Sequence, residues 1–240
     1  MSPIRMHGRA LPERVVVLQF RKQQREYRED VLLPRRISGH EGIGRLFEYR
    51  IEAIESVPHP VYFPRDETEI DLHAIKGSLV TLVFNGVYAQ ERSWRYTGAR
   101  EISGMVASVG MLGTEGNGVV YELVLRPRWW RATPGKNSRV FTNMGIREIL
   151  HTVLMRYGSA IDFRIGSDAE YKRDFIRQAW ETDWDFCMRL CEEFGYLVWF
   201  EHRNDEHVLV IADGIRACRE HRVPYETLSY RPDGGHLDRE

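Results

Sequence analysis

The sequence predicts a mainly β protein of the α+β class. An antiparallel β-barrel or sandwich is expected over residues 1–126, an α+β unit with two helices and a β-hairpin over 127–213, and a polar linker over 214–240. Three observations carry this. Phe47-Glu48-Tyr49-Arg50-Ile51-Glu52-Ala53 alternates apolar and charged residues with a period of two, as a half-buried strand requires. Glycines at 39, 42, 44, 77, 86, 110, 113, 116 and 118 separate short β-rich runs, the spacing of an antiparallel barrel or sandwich. Beyond Pro127 the hydrophobic period lengthens to that of a helix.

Taken in order, Val15 to Phe20 is β-rich, and Phe47 to Ala53 is the alternating strand. Leu79 to Phe84, Ile102 to Val109 and Val119 to Leu125 follow, the last with Val119, Tyr121, Leu123 and Leu125 on one face. In the second half Ile146, Ile149, Leu150, Val153, Leu154 and Tyr157 form one helical face, and Gly158 stands where a left-handed cap residue would close it. A second helix is expected from Asp183 to Phe194. Thr182 is its N-cap, Asp185 completes an imperfect capping box, and Asp183 and Asp185 sit against the positive end of the dipole. Its apolar stripe is Cys187, Leu190, Cys191 and Phe194, and Gly195 ends it. A hairpin then runs from Tyr196 to Glu201, turns through Arg203-Asn204-Asp205 and returns from His207 to Ile211.

Composition narrows the function. With 240 residues the chain is long enough for one or two domains with a real core. Lys and Arg number 34 against 35 Asp and Glu, a net charge of -1, so the basic excess that drives nucleic-acid binding is missing. That balance also opposes self-association only weakly. Three cysteines, Cys187, Cys191 and Cys218, make no paired framework, which suits a protein folded inside the cell. The charged N-terminus carries no signal-type apolar run and no stretch reaches the length of a membrane span, so export would need a route without a cleaved signal.

Several side chains invite a chemical reading. Cys187, Cys191, His202 and His207 offer two thiols and two imidazoles, the donor set of tetrahedral zinc. Both cysteines, however, lie on the apolar stripe, where free cysteine behaves as a small hydrophobe, and zinc fingers space their ligands differently; core packing is favoured over metal. Glu181, Asp183, Asp185, Glu192 and Glu193 could supply a general acid and base, but capping and dipole terms account for the aspartates, and Glu192 and Glu193 face away from the stripe. The Gly39-His40-Glu41-Gly42-Ile43-Gly44 run has the wrong order for a dinucleotide fingerprint and leads into a strand, so it is a tight loop. Hydrolase elbows and metalloprotease motifs do not occur. Trp129, Trp130, Trp180, Trp184 and Trp199 are read mostly as core, with Trp129-Trp130 pinning the two halves together. The expectation is no catalytic, cofactor or metal site, with a metal- or carboxylate-dependent hydrolase as the least favoured alternative.

Three ordered segments resemble one family: Ile37 to Glu52, Asn137 to Asn143 leading into Ile149-Leu150 and Tyr157-Gly158, and Glu181 to Gly195 running on to Phe200-Glu201-His202 and Val208 to Asp213. Together they resemble the N-terminal part of VgrG, the valine-glycine-repeat spike of bacterial type VI secretion. The resemblance implies a hub-type antiparallel β-barrel like that of contractile phage baseplates and a non-enzymatic part of an injection machine. It implies homotrimers in full-length relatives, docking on a hexameric Hcp-like tube, baseplate partners, and a tip protein and effectors carried through C-terminal parts. It also implies assembly in the bacterial cytoplasm and expulsion through the type VI apparatus. A late control D-like phage tail hub is the alternative. Pro224-Tyr225 and Tyr230-Arg231-Pro232 resemble the lead into a second barrel, most of which, like the needle, lies outside this sequence. Trp184 and the two cysteines depart from the family's usual stripe residues.

Overall fold

The alternation around Phe47 becomes the wall of a curled sheet. In a computed structural model, which describes residues 16–20, 32–55, 72–84, 100–116, 118–166, 172–203 and 205–217, strand β3 (Glu48–Glu55) buries Tyr49, Ile51 and Ala53 and turns its charged positions outward. It joins β1 (Val16–Phe20), β2 (Leu32–His40), β4 (Leu79–Phe84), β5 (Arg100–Glu115) and β6 (Gly118–Arg126) in an antiparallel sheet of order β1-β4-β5-β6-β3-β2. The sheet curls until its outer strands β1 and β2 approach each other, a half-barrel that realises the mainly β expectation. Leu18, Ile51, Leu82, Ile102, Val106, Leu123 and Leu125 fill its inside, with Ile75 of the short helix α1 (Leu72–Ile75). Strand β2 was not legible from its residues. Pro34 and paired arginines disguise it, and it survives as an edge strand with a register shift beside Pro34, where a missing N–H does no harm.

After Pro127 a 3-10 segment, Arg128–Ala132, leads into β7 (Lys136–Gly145), α2 (Ile146–Leu154), β8 (Ile161–Arg164), β9 (Lys172–Thr182), α3 (Asp183–Glu193), β10 (Leu197–Arg203) and β11 (Glu206–Ala212). Strands β7 and β9 form an antiparallel ribbon, and β10-β11-β8 form a second small sheet in which β8 runs parallel to β11. The two helices pack their stripes together. Ile149, Leu150, Val153 and Leu154 of α2 and Phe186, Cys187, Leu190 and Cys191 of α3 are buried in one cluster with Trp129. The start of α3 follows the sequence: the Thr182 hydroxyl accepts from the Asp185 amide at 3.0 Å. Gly195 takes the left-handed conformation, φ 69°. The expected left-handed cap at Gly158 is wrong. Gly158 is not among the residues with positive φ; it is small because a Cβ there would meet Cζ2 of the Trp129 ring at 2.9 Å. The expected tail features at Cys218, Pro224, Tyr225, Tyr230 and Pro232 lie outside the described residues.

Because Leu190 is fully buried between α2 and the core, Leu190→Ala is expected to destabilise the chain by about 2–5 kcal/mol in denaturant unfolding. A loss below about 1 kcal/mol would mean that the helix pair packs elsewhere.

Candidate functional site

Strand β6 ends because Pro127 follows Arg126, and this leaves a gap beside β5. The ladder between β5 and β6 stops at the Met105–Arg126 pair. Two residues before Met105, the Ser103 amide finds no partner on β6. The β10–β11 hairpin fills that place: Ser103 N–H donates to Nδ1 of His202 at 3.0 Å, and the amide of Arg128, just past the proline, donates to Nε2 of His207 at 2.9 Å. The two histidines are cross-strand partners on one rung of the hairpin. Phe47 lies between them, its ring 5.0 Å from His202, 5.8 Å from His207 and 5.2 Å from Phe200. Trp129 closes the other side, 5.9 Å from Phe200 and 5.8 Å from His207, and donates its indole N–H to the Leu154 carbonyl. Trp129 therefore joins the sheet's exit to both α2 and the hairpin.

A charged group rims this aromatic seam. Glu41, in the loop before β3, accepts from the Tyr49 hydroxyl at 2.7 Å and from Arg100 at 3.2 Å, and lies 3.3 Å from His202 Nε2 without hydrogen-bond alignment. Burial alone would raise the Glu41 carboxyl; His202, Tyr49 and Arg100 outweigh it and hold the pKa at about 2. Burial and the Glu41 charge push the Tyr49 phenol well up. Burial, His202 and Arg128 drive His207 down to about 3. Near neutral pH these groups therefore sit in fixed protonation states, Glu41 and Tyr49 bonded to each other and His207 to backbone. Glu41, Ile43, Arg45, Trp199 and Phe200 also line a shallow depression of about 320 Å³ at the edge of the seam. The tight-loop reading of the glycine run holds: Gly44 has φ 72° and its amide donates to the Val198 carbonyl at 2.7 Å.

The residues singled out for zinc are not gathered into one set. Cys187 and Cys191 lie in the helix stripe. Burial pushes Cys191 up to about 12, and burial with Cys191 and Asp183 raises Cys187 too, so both stay protonated thiols. Among the described residues no group of three His, Cys, Asp or Glu side chains converges to hold a metal ion. The acidic set is dispersed too. Glu181 is clamped by Arg189, Glu193 pairs with Arg173, and Glu192 and Asp185 are exposed.

Asp183 is the member whose role the sequence hid. It is fully buried, and its oxygens accept from Asn137 at 2.8 Å, Gln178 at 2.9 Å, Tyr157 at 2.9 Å and the Arg139 guanidinium. Burial would raise its carboxyl, but Gln178, Asn137, Tyr157 and Arg139 together lower it. One carboxylate thus ties β7, β9, α3 and the residues after α2. The nearest signal was the pairing of Asn137 and Arg139 on alternate positions of one strand. Among the tryptophans, Trp129 and Trp184 are core as expected, and Trp130 and Trp199 are half-buried beneath Arg126 and Arg164. Trp180 corrects the core reading, being 70% exposed at a bulge of β9 with φ 56°.

Comparisons with known proteins agree with this architecture. A family model described as the phage tail baseplate hub (GPD) matches residues 40–240. The type VI secretion spike protein VgrG1a of Pseudomonas aeruginosa is 29% identical over 215 residues, 88% of this chain and 30% of that protein. VgrG1c of the same organism is 28% identical over 88% of this chain and 27% of its own length. The chain thus spans under a third of these relatives. Among solved structures, the c3393 protein of E. coli, described as a type VI component similar to T4 phage tail proteins gp27 and gp5, superposes with a TM-score of 0.65 at 18% identity, over 85% of this chain and 50% of that one. A prophage MuSo2 tail protein of Shewanella oneidensis gives 0.52 at 15% identity, over 82% of this chain and 52% of that one.

Two outcomes are expected. Gly39 faces Tyr49 across the β2–β3 ladder, and a Cβ there would come within 2.1 Å of the phenol ring. Gly39→Ala should therefore displace Tyr49 from Glu41 and lower the melting temperature, whereas Gly42→Ala, with only the Arg45 side chain nearby, should not. Asp183→Ala strands the Arg139 charge and should cost about 3–5 kcal/mol in denaturant unfolding. Its carboxyl is lowered on folding, so its contribution is present above the unfolded pKa near 4 and is lost as pH falls through the lower folded value. The acid limb of the stability profile should flatten in Asp183→Asn.

Proposed function

The chain belongs to the phage tail baseplate hub family, and from that premise we propose that it is the hub-like base of a type VI secretion spike, the part that seats on the tube and carries the needle. The supporting observation is the 29% identity to a type VI spike protein over 88% of this chain. The phage tail structure is similar at 15% identity, where the likeness reports fold alone. The spike reading is therefore favoured over a phage tail hub.

In this reading the protein is non-enzymatic. The half-barrel of residues 1–126 supplies the subunit of the ring, residues 127–213 brace it from outside, and residues 214–240 lead into a second barrel. The partners are further copies of the chain in a trimer, a hexameric tube protein, baseplate proteins, and tip and effector proteins through C-terminal parts. Assembly takes place in the bacterial cytoplasm and the spike leaves through the type VI apparatus.

Deleting the gene in a bacterium that carries the corresponding apparatus is expected to stop release of tube protein into the medium, with restoration by the wild-type copy. Normal tube release together with loss of phage tails would transfer the protein to the phage reading. The 240-residue chain by itself is expected to sediment at micromolar concentration as a monomer with weak, concentration-dependent association. A stable interface needs roughly 1,200–2,000 Å², and much of the trimer contact should come from the second barrel and needle. A trimer that survives dilution would place the assembly contacts within residues 1–240.

A further inference from the structure

His202 and His207 each accept a backbone N–H from outside the hairpin, from Ser103 on β5 and from Arg128 past the end of β6. An imidazole nitrogen accepts only while it is unprotonated. The two bonds therefore fix both tautomers. His202 carries its proton on Nε2, facing Glu41, and His207 carries its proton on Nδ1, which is buried without a partner. We propose that this pair is an acid-opened latch between the six-stranded sheet and the β10–β11 hairpin: protonating His207 sets its Nε2–H against the Arg128 N–H and releases the hairpin, His202 and its Ser103 bond with it, from the end of β6.

The surroundings make the two histidines unequal. His202 faces Glu41, which is itself held by Tyr49 and Arg100. His207 faces the Arg128 guanidinium and His202, with Glu206 4.0 Å from Arg128 and the rings of Phe47, Trp129 and Phe200 packed around it. Burial and the Arg128 charge both disfavour its imidazolium form. Closed, His207 stays neutral down to about pH 3; released into water it titrates near its ordinary value of 6.5. The sign follows: the latch is fully closed above about pH 6.5, and each unit of acidification below that favours the open form about tenfold until the closed-state value is reached. His207 alone gives about a 30-fold rise in opening between pH 7.5 and 5.0.

Amide hydrogen exchange followed by NMR, corrected for intrinsic rates, tests this on the whole chain. Protection of the Ser103 and Arg128 amides should fall about 30-fold between pH 7.5 and 5.0, while Ile51 and Leu123 in the middle of the sheet change less than about threefold. The His202→Gln/His207→Gln variant, whose amide oxygens still accept but do not titrate, should keep its protection at both pH values. Flat protection in the wild type, an equal loss at Ile51 and Leu123, or a parallel loss in the glutamine variant would each overturn the latch. If the variant does not fold, nitrogen-15 shifts of the wild-type imidazoles decide: the proton is expected on Nε2 of His202 and Nδ1 of His207 at neutral pH, and the opposite tautomer at His207 refutes the proposal.

Discussion

The seam depends on one proline. Pro127 stops β6 one residue past its last pairing with β5, and two backbone amides, Ser103 and Arg128, are left facing the interior with no strand to take them. A buried amide without a partner costs about 1–3 kcal/mol, so a fold that ends a strand here must bring acceptors from elsewhere. The hairpin brings two, and its position follows from that need. The aromatic side chains around it complete the seal, because an acceptor on a ring can sit among Phe47, Trp129 and Phe200 without an exposed polar stem.

The same economy operates at Asp183. A charge buried in the second core is tolerated because four side chains from both strands of the ribbon and from the segment after α2 donate to it. The alternative, an apolar residue of similar size, would bury well but would leave Arg139, Asn137, Gln178 and Tyr157 without their common acceptor. The carboxylate therefore sets the approach of α3 to the β7–β9 ribbon, much as the histidines set the approach of the hairpin to the sheet. The α3 stripe can then close against α2 with both cysteines as plain packing groups.

Elements whose own burial dictates their pattern were legible in the sequence. Phe47 to Ala53 and the α2 and α3 stripes announce themselves because each has one buried face and one wet face, and Leu79 to Phe84 because it is an almost continuous apolar run buried on both faces. Strands β2, β7 and β9 did not. They expose much of their length, so Arg36, Arg139 and Arg177 interrupt any apolar period, and their pairing is set by register with a distant strand. The site was legible only as ingredients. His202 and His207 were visible in the hairpin, but the sequence cannot say that the donors they accept from are the Ser103 and Arg128 amides, 99 and 79 positions away. Cys187, Cys191, His202 and His207 stand close along the chain, but the cysteines pack in the helix stripe and the histidines in the seam. Gly158 is constrained by the Trp129 ring, a contact no local pattern contains.

Trp180 marks the opposite case, a residue that the packing does not explain. It sits at a bulge where Asn137 and Ser138 shift register, in a left-handed conformation that costs a non-glycine residue about 1–3 kcal/mol, and its ring faces water. The Ser138 hydroxyl accepts its amide, which keeps the bulge from leaving a bare donor. The strain is offset by what the bulge does downstream. It turns the chain so that Glu181 clamps Arg189, Thr182 caps α3 and Asp183 enters the core, three successive residues that need different directions. A regular strand would keep alternating faces and deliver at most two of them, so the exposed tryptophan is the consequence of placing Asp183 correctly.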